Sequence, residues 1–261
     1  MEDLSKYNPE GSTLRKAQMR MVEILHVVDT ICQKHQIPYF LDGGSLLGAV
    51  RHGGFIPWDD DLDIAIMRKD TARLRRILKK ELPENLTYQD RTTEFNYPML
   101  IGKVRDKHSY FEDDLSSKLR ENGIYIDIIP MEKTPSLKWK AHLDYWYGHC
   151  IRGIHNYSTS KDKILSLLVF PFAWTLVWIT RFTNLFSNTH QIAHAYGWRA
   201  YNSFDERDVF PVKRIAFENI KVSIPKNPNA VLTALFGDYM QIPSAKNRRT
   251  HQIAELDFGK Y

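Results

Sequence analysis

Cysteine is scarce in this chain of 261 residues, which contains only Cys32 and Cys150 and no C-x-x-C pair. This scarcity excludes a disulfide-dense secreted scaffold and a zinc ribbon, because both need several closely spaced cysteines. The N-terminal residues also lack a basic stretch followed by an apolar one, so no secretory signal peptide is recognised. These absences favour a reducing, cytoplasmic compartment.

Several common nucleotide- and calcium-binding motifs are missing as well. The glycine-rich stretch GGSLLGAVRHGG, residues 43–54, contains neither a P-loop lysine nor the spacing G-x-G-x-x-G. A calcium loop counted from Asp59 has Ile64 where the loop needs glycine and Asp70 where it needs glutamate. The net charge of +5 and the pI of about 9.0 favour anionic partners such as phosphates, nucleotides and acidic lipids. Nucleic acid is not expected, because no RNA-binding signature or zinc finger is present.

The hydrophobic pattern of the chain predicts an α/β (α+β) fold with a mixed sheet and flanking helices. A first helix is predicted from the apolar spacing between Leu14 and Cys32, with Ser12 or Thr13 at its N-cap. Strands are predicted at IPYFLD, DLDIAIM, residues 97–106 and residues 123–130, and a basic helix at residues 71–82. We expect one domain, made of a core over 12–132, a helical, aromatic-rich region over 133–205 and a C-terminal part over 206–261 packed on the core.

Four aspartates are crowded into the segment WDDDLDIAI at residues 58–66. Because side chains alternate along a strand, Asp61 and Asp63 share one face and the apolar residues share the other. At a separation of about 4 Å and an effective dielectric of about 20, two carboxylates repel by roughly 4 kcal/mol. A cation between them, or a proton on one of them, relieves this repulsion. The pair suits Mg²⁺, while the alternative is a solvated loop in which Asp59 or Asp60 caps a helix.

A third carboxylate, Asp127, lies in the strand GIYIDIIP between isoleucines. An aspartate in such a position needs a partner or a metal ion. If this strand lies beside the strand of Asp63, three carboxylates converge.

The turn before the aspartates is a candidate phosphate site. Gly43, Gly44 and Ser45 open a short helix after a strand, and backbone N–H groups at such a helix start can bind a phosphate. Ser45 has capping as its alternative role. Arg51 and Lys103 are candidate phosphate ligands, and for Arg51 an exposed turn is the alternative. The indole of Trp58 is a candidate for cation–π contact with a substrate cation, or a packing residue.

The order of these features resembles the nucleotidyltransferase fold and, within it, the LicD family. The matching segments are residues 39–66, residues 125–132 and, more weakly, residues 217–243. The resemblance implies transfer of phosphorylcholine from CDP-choline to a sugar hydroxyl of a teichoic acid or lipopolysaccharide precursor, with a lipid-linked glycan as acceptor. It also implies one or two Mg²⁺ ions, or Mn²⁺, at Asp61, Asp63 and Asp127. Tyr239 and His251 are further candidates from the C-terminal pattern.

Three other functions remain open at this point. The transferred group could be another CDP-linked alcohol phosphate, such as ribitol or glycerol phosphate. The enzyme could be a nucleotidyltransferase that uses a nucleoside triphosphate and releases pyrophosphate. A scaffold without turnover is disfavoured, because it has no need for a crowded anionic site.

Residues 164–180, ILSLLVFPFAWTLVWIT, contain no charged side chain. As a helix they measure about 25 Å, less than the roughly 30 Å of a hydrocarbon core, and Pro171 interrupts them. A buried core helix, a membrane-surface segment and a membrane span are the alternatives, and we favour the membrane-surface segment. We therefore expect a location at the inner face of the cell membrane.

Overall fold

Helices and strands alternate from the helix that begins at Thr13 to the third strand, which ends at Gln89, and three further strands then follow one another up to Lys133. The computed structural model describes residues 3–94, 97–112, 119–156, 160–198, 202–248 and 255–258. The helices in these residues are α1 (Thr13–Lys34), α2 (Gly43–His52), α3 (Arg68–Glu81), α4 (Leu137–Asn156), α5 (Ser160–Asn184), α6 (Glu206–Val209) and α7 (Pro228–Phe236). The strands are β1 (Tyr39–Leu41), β2 (Asp63–Met67), β3 (Leu86–Gln89), β4 (Gly102–Asp106), β5 (Tyr110–Glu112), β6 (Tyr125–Lys133), β7 (Gln191–His194), β8 (Phe204–Asp205), β9 (Lys213–Phe217), β10 (Ile220–Ile224) and β11 (Glu255–Asp257).

The main sheet, as far as the described residues show it, has the strand order β1-β2-β6-β4-β3, and β7 and β8 extend from β6. Strands β2 and β6 are parallel, whereas the other pairs in this sheet are antiparallel. This arrangement confirms the predicted mixed sheet with flanking helices. It also confirms that the strand of Asp127 lies beside the strand of Asp63.

Helix α1 forms where its capping residue and apolar spacing predict. The N–H of Arg15 donates to Ser12 Oγ at 3.2 Å, which satisfies one of the unpaired amides of the first turn. The apolar stripe of this helix is fully buried from Ala17 onward, at Ala17, Met21, Leu25, Val28 and Cys32, whereas Leu14 in the first turn is half-buried. The stripe places α1 against α3 and against strands β4 and β6, which form the main core.

Several of the predicted boundaries are wrong, and the short strands β3, β5, β7, β8 and β11 were missed. The strand predicted at residues 97–106 begins only at Gly102, and the helix predicted from residue 71 begins at Arg68. Within the region predicted to be helical, residues 191–194 form β7. This short segment becomes a strand because it pairs with β6, with His194 opposite Met131, and its local sequence carries no strand signal strong enough to show this.

Helices α4 and α5 form a hairpin with its own small hydrophobic cluster. The cluster contains Leu143, Tyr147 and Ile151 from α4, Ala173 and Val177 from α5, and Tyr196. A buried ion pair between Lys140 and Asp144 lies beside it. On the other side of the molecule, the β9–β10 hairpin contacts β1, and α7 contacts α2.

Candidate active site

Three predicted site residues lie in one row across three neighbouring strands. The register places Asp63 of β2 opposite Asp127 of β6, and Asp127 opposite Lys103 of β4. Residues that pair directly point to the same face of a sheet, so their side chains are neighbours. Lys103 Nζ lies 2.6 Å from Asp127 Oδ1, and the Asp127 side chain keeps 15% of its exposure while that of Lys103 keeps 2%. The row therefore combines two carboxylates with a buried ammonium group and remains open to solvent.

The start of α2 is joined directly to this row. The Asp63 N–H donates to Ser45 Oγ at 2.8 Å, and the Asp42 N–H donates to the carbonyl oxygen of Asp63 at 3.1 Å. Gly43 has a φ of 50°, a left-handed conformation that favours glycine. A Cβ atom on Gly44 would lie 2.8 Å from Asp59 Oδ2. The glycines thus allow the helix start to approach the carboxylates of Asp59 and Asp63 closely.

The aspartates of this site are held with their charges incompletely compensated. Burial, together with the charges of Asp61, Asp127 and Asp42, raises the pKa of Asp63 well above its usual range. Burial and the neighbours Asp61 and Asp60 raise the pKa of Asp59 to about 8. Burial also raises the pKa of Asp127, although Lys103 opposes this shift. Such clustered, shifted carboxylates are typical of functional sites.

Asp42 has a partner that the sequence did not reveal. His194 Nε2 lies 2.5 Å from Asp42 Oδ2, and both side chains are buried. Burial disfavours the Asp42 carboxylate, but His194 and the N–H of Gly43 outweigh this effect and lower the pKa of Asp42. Asp42 therefore carries a negative charge beside Asp63. No pattern in the sequence could have joined residues so far apart, and His194 lies in β7, one of the strands that were missed.

The donor set of this site fits a hard divalent cation. Asp59 Oδ2 and Asp42 Oδ1 are buried and lack a hydrogen-bond partner. The charge of Asp42 acts directly on Asp63, and Asp59 and Asp63 have Asp61 as a common neighbour. Within the residues that the structure describes, no three Asp, Glu, His or Cys side chains are arranged to hold a metal ion by themselves. Mg²⁺ commonly binds proteins through one or two carboxylates and completes its octahedron with water and substrate phosphates. An ion held by these carboxylates would therefore use this open mode of binding rather than a closed protein cage.

Other predicted residues have different surroundings. The guanidinium group of Arg51 donates to the carbonyl oxygens of Tyr239 at 2.7 Å and Gln241 at 3.3 Å, so it holds the C-terminal segment against α2. The hydroxyl of Tyr239 donates to Asn229 Oδ1. Trp58 is buried, with the ring of Tyr7 edge-on at 5.4 Å and the guanidinium group of Arg248 over its own ring at 4.9 Å. His251 lies outside the described residues.

A model of the LicD/FKTN/FKRP nucleotidyltransferase domain matches residues 36–157. The matched range contains Asp61, Asp63, Lys103 and Asp127 as well as the glycine turn, so it covers the row of side chains described above.

Similar proteins support the same assignment. The lipopolysaccharide cholinephosphotransferase LicD of Haemophilus influenzae is 26% identical over 265 residues, which cover 93% of this chain and 97% of that protein. An uncharacterized protein of Rickettsia prowazekii is 31% identical over 139 residues, 51% of each chain. The mouse ribitol 5-phosphate transferase FKRP is 49% identical over 76 residues, 29% of this chain and 15% of that protein. Residues 36–157 therefore match a domain of the LicD type, and the similarity to LicD over 93% of the chain supports a phosphotransferase.

Proposed function

We propose that the enzyme transfers phosphorylcholine from CDP-choline to a sugar hydroxyl of a cell-surface glycan precursor, of the lipopolysaccharide or teichoic acid type. The supporting observation is the similarity to the Haemophilus influenzae cholinephosphotransferase, which extends over 97% of that protein. The acceptor in this proposal is a lipid-linked glycan reached from the cytoplasmic face of the cell membrane. Transfer of ribitol phosphate is the second candidate, because the mouse ribitol 5-phosphate transferase is 49% identical over its shorter match.

In this proposal Asp61 and Asp63 hold one Mg²⁺ or Mn²⁺ ion, and Asp127 is the candidate for a second. The bound ion would neutralise charge on the donor diphosphate and on the transferred group. The structure supplies a physical reason for this requirement. The start of α2 faces the carboxylates of Asp59 and Asp63, so a phosphate seated there meets like charge unless a cation lies between them.

The protein's own side chains account for the remaining steps. The first-turn N–H groups of Gly44 and Ser45 are those that a helix leaves without an internal carbonyl partner, and they seat a phosphate oxygen. If Asp127 does not bind a second ion, it is the base that accepts the proton of the attacking sugar hydroxyl, and burial, which raises its pKa, makes it a stronger base than an exposed aspartate. Lys103 fixes the orientation of this carboxylate through the 2.6 Å ion pair. A bond forms between the sugar oxygen and the phosphorus that carries choline, the bond from that phosphorus to CMP breaks, and CMP leaves.

The test is a donor competition assay with the full chain and a purified glycan acceptor. CDP-choline, CDP-ribitol, CDP-glycerol and CTP are supplied separately with Mg²⁺, and CMP, pyrophosphate and the modified acceptor are measured. We expect CMP and a phosphorylcholine-bearing acceptor from CDP-choline. Preferred use of CDP-ribitol or CDP-glycerol would show that the donor is not CDP-choline. Pyrophosphate release from CTP would favour a nucleotidyltransferase.

Two variants and a matched control test the site itself. Asp61→Asn and Asp63→Asn should each lower kcat by about a hundredfold or more, because each removes a ligand of the ion that would neutralise charge on the transferred phosphoryl group. Asp70→Asn, in the first turn of α3, makes the same chemical change outside the site and should retain wild-type activity. Full activity in folded Asp61→Asn and Asp63→Asn proteins would refute the assigned roles.

A further inference from the structure

Helix α5 has the opposite distribution of polar and apolar side chains to a helix on the surface of a water-soluble domain. Its buried positions carry small or polar side chains, namely Ser166, Ala173, Val177, Thr180 and Asn184. Its outward positions carry large apolar side chains, which include Leu165, Leu168, Phe172, Trp174, Trp178, Ile179 and Phe182, with exposed fractions of 45% to 73%. An amphipathic helix on a soluble domain places its apolar residues inward, so this pattern indicates that something apolar covers α5.

The inward face of α5 is anchored and cannot exchange places with the outward one. Ala173 and Val177 pack in the cluster with α4 and Tyr196. At the end of the helix, Asn184 Nδ2 donates to the carbonyl oxygen of Lys133 at 2.9 Å. Arg181 forms two hydrogen bonds, at 2.8 and 2.9 Å, with the Glu132 carboxylate. Because these contacts hold α5 lengthwise against the protein, it presents its outer side rather than an end.

The outward face, which we call the α5 face, extends past the helix end to Leu185 and Phe186, which are 76% and 75% exposed. The residues of α5 from Lys163 to Asn184 are also long and apolar enough to cross a membrane by length and composition, and only 22% of the apolar 18-residue window within them is buried. The hydroxyl of Thr175 donates to the carbonyl oxygen of Pro171 at 2.7 Å, so this polar group needs no water partner. Exposed tryptophans are typical of the boundary between water and lipid.

Positive charge lies at both ends of the α5 face. At one end Lys161 and Lys163 are exposed. At the other end Lys69 is exposed. The guanidinium groups of Arg68 and Arg181, which both form ion pairs with Glu132, flank the ring of Trp178 there, at 5.5 and 5.6 Å from its centroid. The same end borders a cavity of about 540 Å³ whose charged lining residues are Arg68, Lys69, Lys133 and Arg181 against Glu132 and Glu206.

We propose that the α5 face docks flat on an anionic lipid bilayer, with its apolar side chains in the interface and its basic ends on lipid phosphates. Basic groups that bound an apolar helical face are complementary to such a surface. A second copy of the chain would instead bring the same positive ends near each other. This proposal does not depend on which alcohol phosphate the enzyme transfers.

The test is flotation of the full chain with vesicles of phosphatidylcholine alone or with added phosphatidylglycerol. The wild-type protein should float with the anionic vesicles and bind neutral ones about tenfold more weakly. The variant Leu168→Ser/Phe172→Ser/Phe182→Ser should bind anionic vesicles about tenfold or more weakly than the wild type. The control Phe236→Ser/Met240→Ser removes side chains that are 45% and 59% exposed outside the α5 face, and it should bind as the wild type does.

A second measurement uses the wild-type protein and does not rely on a folded variant. Vesicles with brominated acyl chains should quench the fluorescence of Trp174 and Trp178, and Trp174→Phe/Trp178→Phe should lose most of this quenching. Absence of vesicle binding by the wild-type chain would overturn the proposal, as would equal binding by the triple serine variant. Self-association that the triple variant abolishes, without any vesicle binding, would assign the face to protein contact and also overturn it. The triple variant should transfer the alcohol phosphate to a water-soluble acceptor fragment as well as the wild type does. If the wild type itself shows no transfer, that result would count against the enzymatic proposal and not against the docking surface.

Discussion

Replacing Asp63 by asparagine should stabilise the metal-free protein while removing its response to Mg²⁺. Asp63 lies among the charges of Asp61, Asp127 and Asp42, and its pKa is raised well above the usual range. Each pKa unit of such a shift corresponds to about 1.4 kcal/mol of cost in the ionised form. Lys103 offsets part of the repulsion through its ion pair with Asp127. We therefore expect the asparagine variant to gain about 1–3 kcal/mol in the free energy of unfolding.

For a chain of this size, 1 kcal/mol shifts Tm by about 2–4 °C, so the variant should melt about 2–12 °C higher in EDTA. Mg²⁺ at about one hundred times its Kd should stabilise the wild type by about 2.7 kcal/mol and leave the variant unchanged. The variant should thus be the more stable protein in EDTA. In Mg²⁺ the difference in stability should become small or change sign. Thermal melts followed by circular dichroism in both buffers measure this directly.

A variant that should lower the free energy of unfolding provides the control. Lys103→Met removes the buried cation of the row and leaves Asp127 without its partner, so it should lower the free energy of unfolding by about 3–5 kcal/mol in EDTA. If Asp63→Asn instead lowers Tm in EDTA, or if Mg²⁺ stabilises that variant as much as the wild type, the carboxylate row is not the electrostatically strained cation site described above.

Three further predictions concern the surroundings of the site. Gly48→Ala should lower the free energy of unfolding by about 1–3 kcal/mol in chemical denaturation, because a Cβ there would lie 2.5 Å from the Gly54 carbonyl oxygen. Gly11→Ala is the control: a Cβ there meets nothing within 4 Å, so this variant measures the cost of backbone strain without a steric clash. Asp144→Asn should cost about 3–5 kcal/mol by leaving Lys140 buried without its partner, and Lys140→Met/Asp144→Leu should recover most of the loss; equal damage in both would contradict the reasoning. Glu218→Gln should destabilise the protein by about 1–3 kcal/mol at pH 7, since Arg15 and the N–H of Phe55 donate to the carboxylate. Although burial opposes it, these contacts lower the pKa of Glu218, so the folded state binds its proton less tightly than the unfolded chain does; the wild-type advantage is present above pH 4.5 and should vanish as pH falls through the lowered pKa in urea melts at several pH values.

The region between residues 133 and 205 shows most clearly where sequence-based prediction stops. The helices α4 and α5 follow from composition, but β7 is a strand only because it pairs with β6. With that strand missed, the contact between His194 and Asp42 could not be expected, and it places a buried histidine beside the glycine turn. Short strands owe their conformation to their neighbours more than to their own residues.

The aspartate cluster was predictable in its chemistry but not in its geometry. Alternation along a strand led to the prediction that Asp61 and Asp63 share one face and suggested Asp127 as a third carboxylate, but β2 begins only at Asp63 and Asp61 precedes it. The position of Lys103 opposite Asp127 depends on the register of β4 against β6, and a shift of one residue would have pointed it to the other face. Ser45, predicted to seat a phosphate or to cap the helix, accepts the N–H of Asp63 in the structure; its role toward substrate stays a prediction.

The sequence by itself determined what depends on residues close together along the chain. Helix α1 follows from its cap and its apolar spacing, and the crowding of aspartates at residues 59–63 follows from simple succession. Only the tertiary structure decided which distant groups meet, such as Lys103 with Asp127 and His194 with Asp42, and which side of α5 is covered by protein. The physical reason is that periodicity identifies the faces of an element, whereas strand register and helix packing determine which faces are buried together.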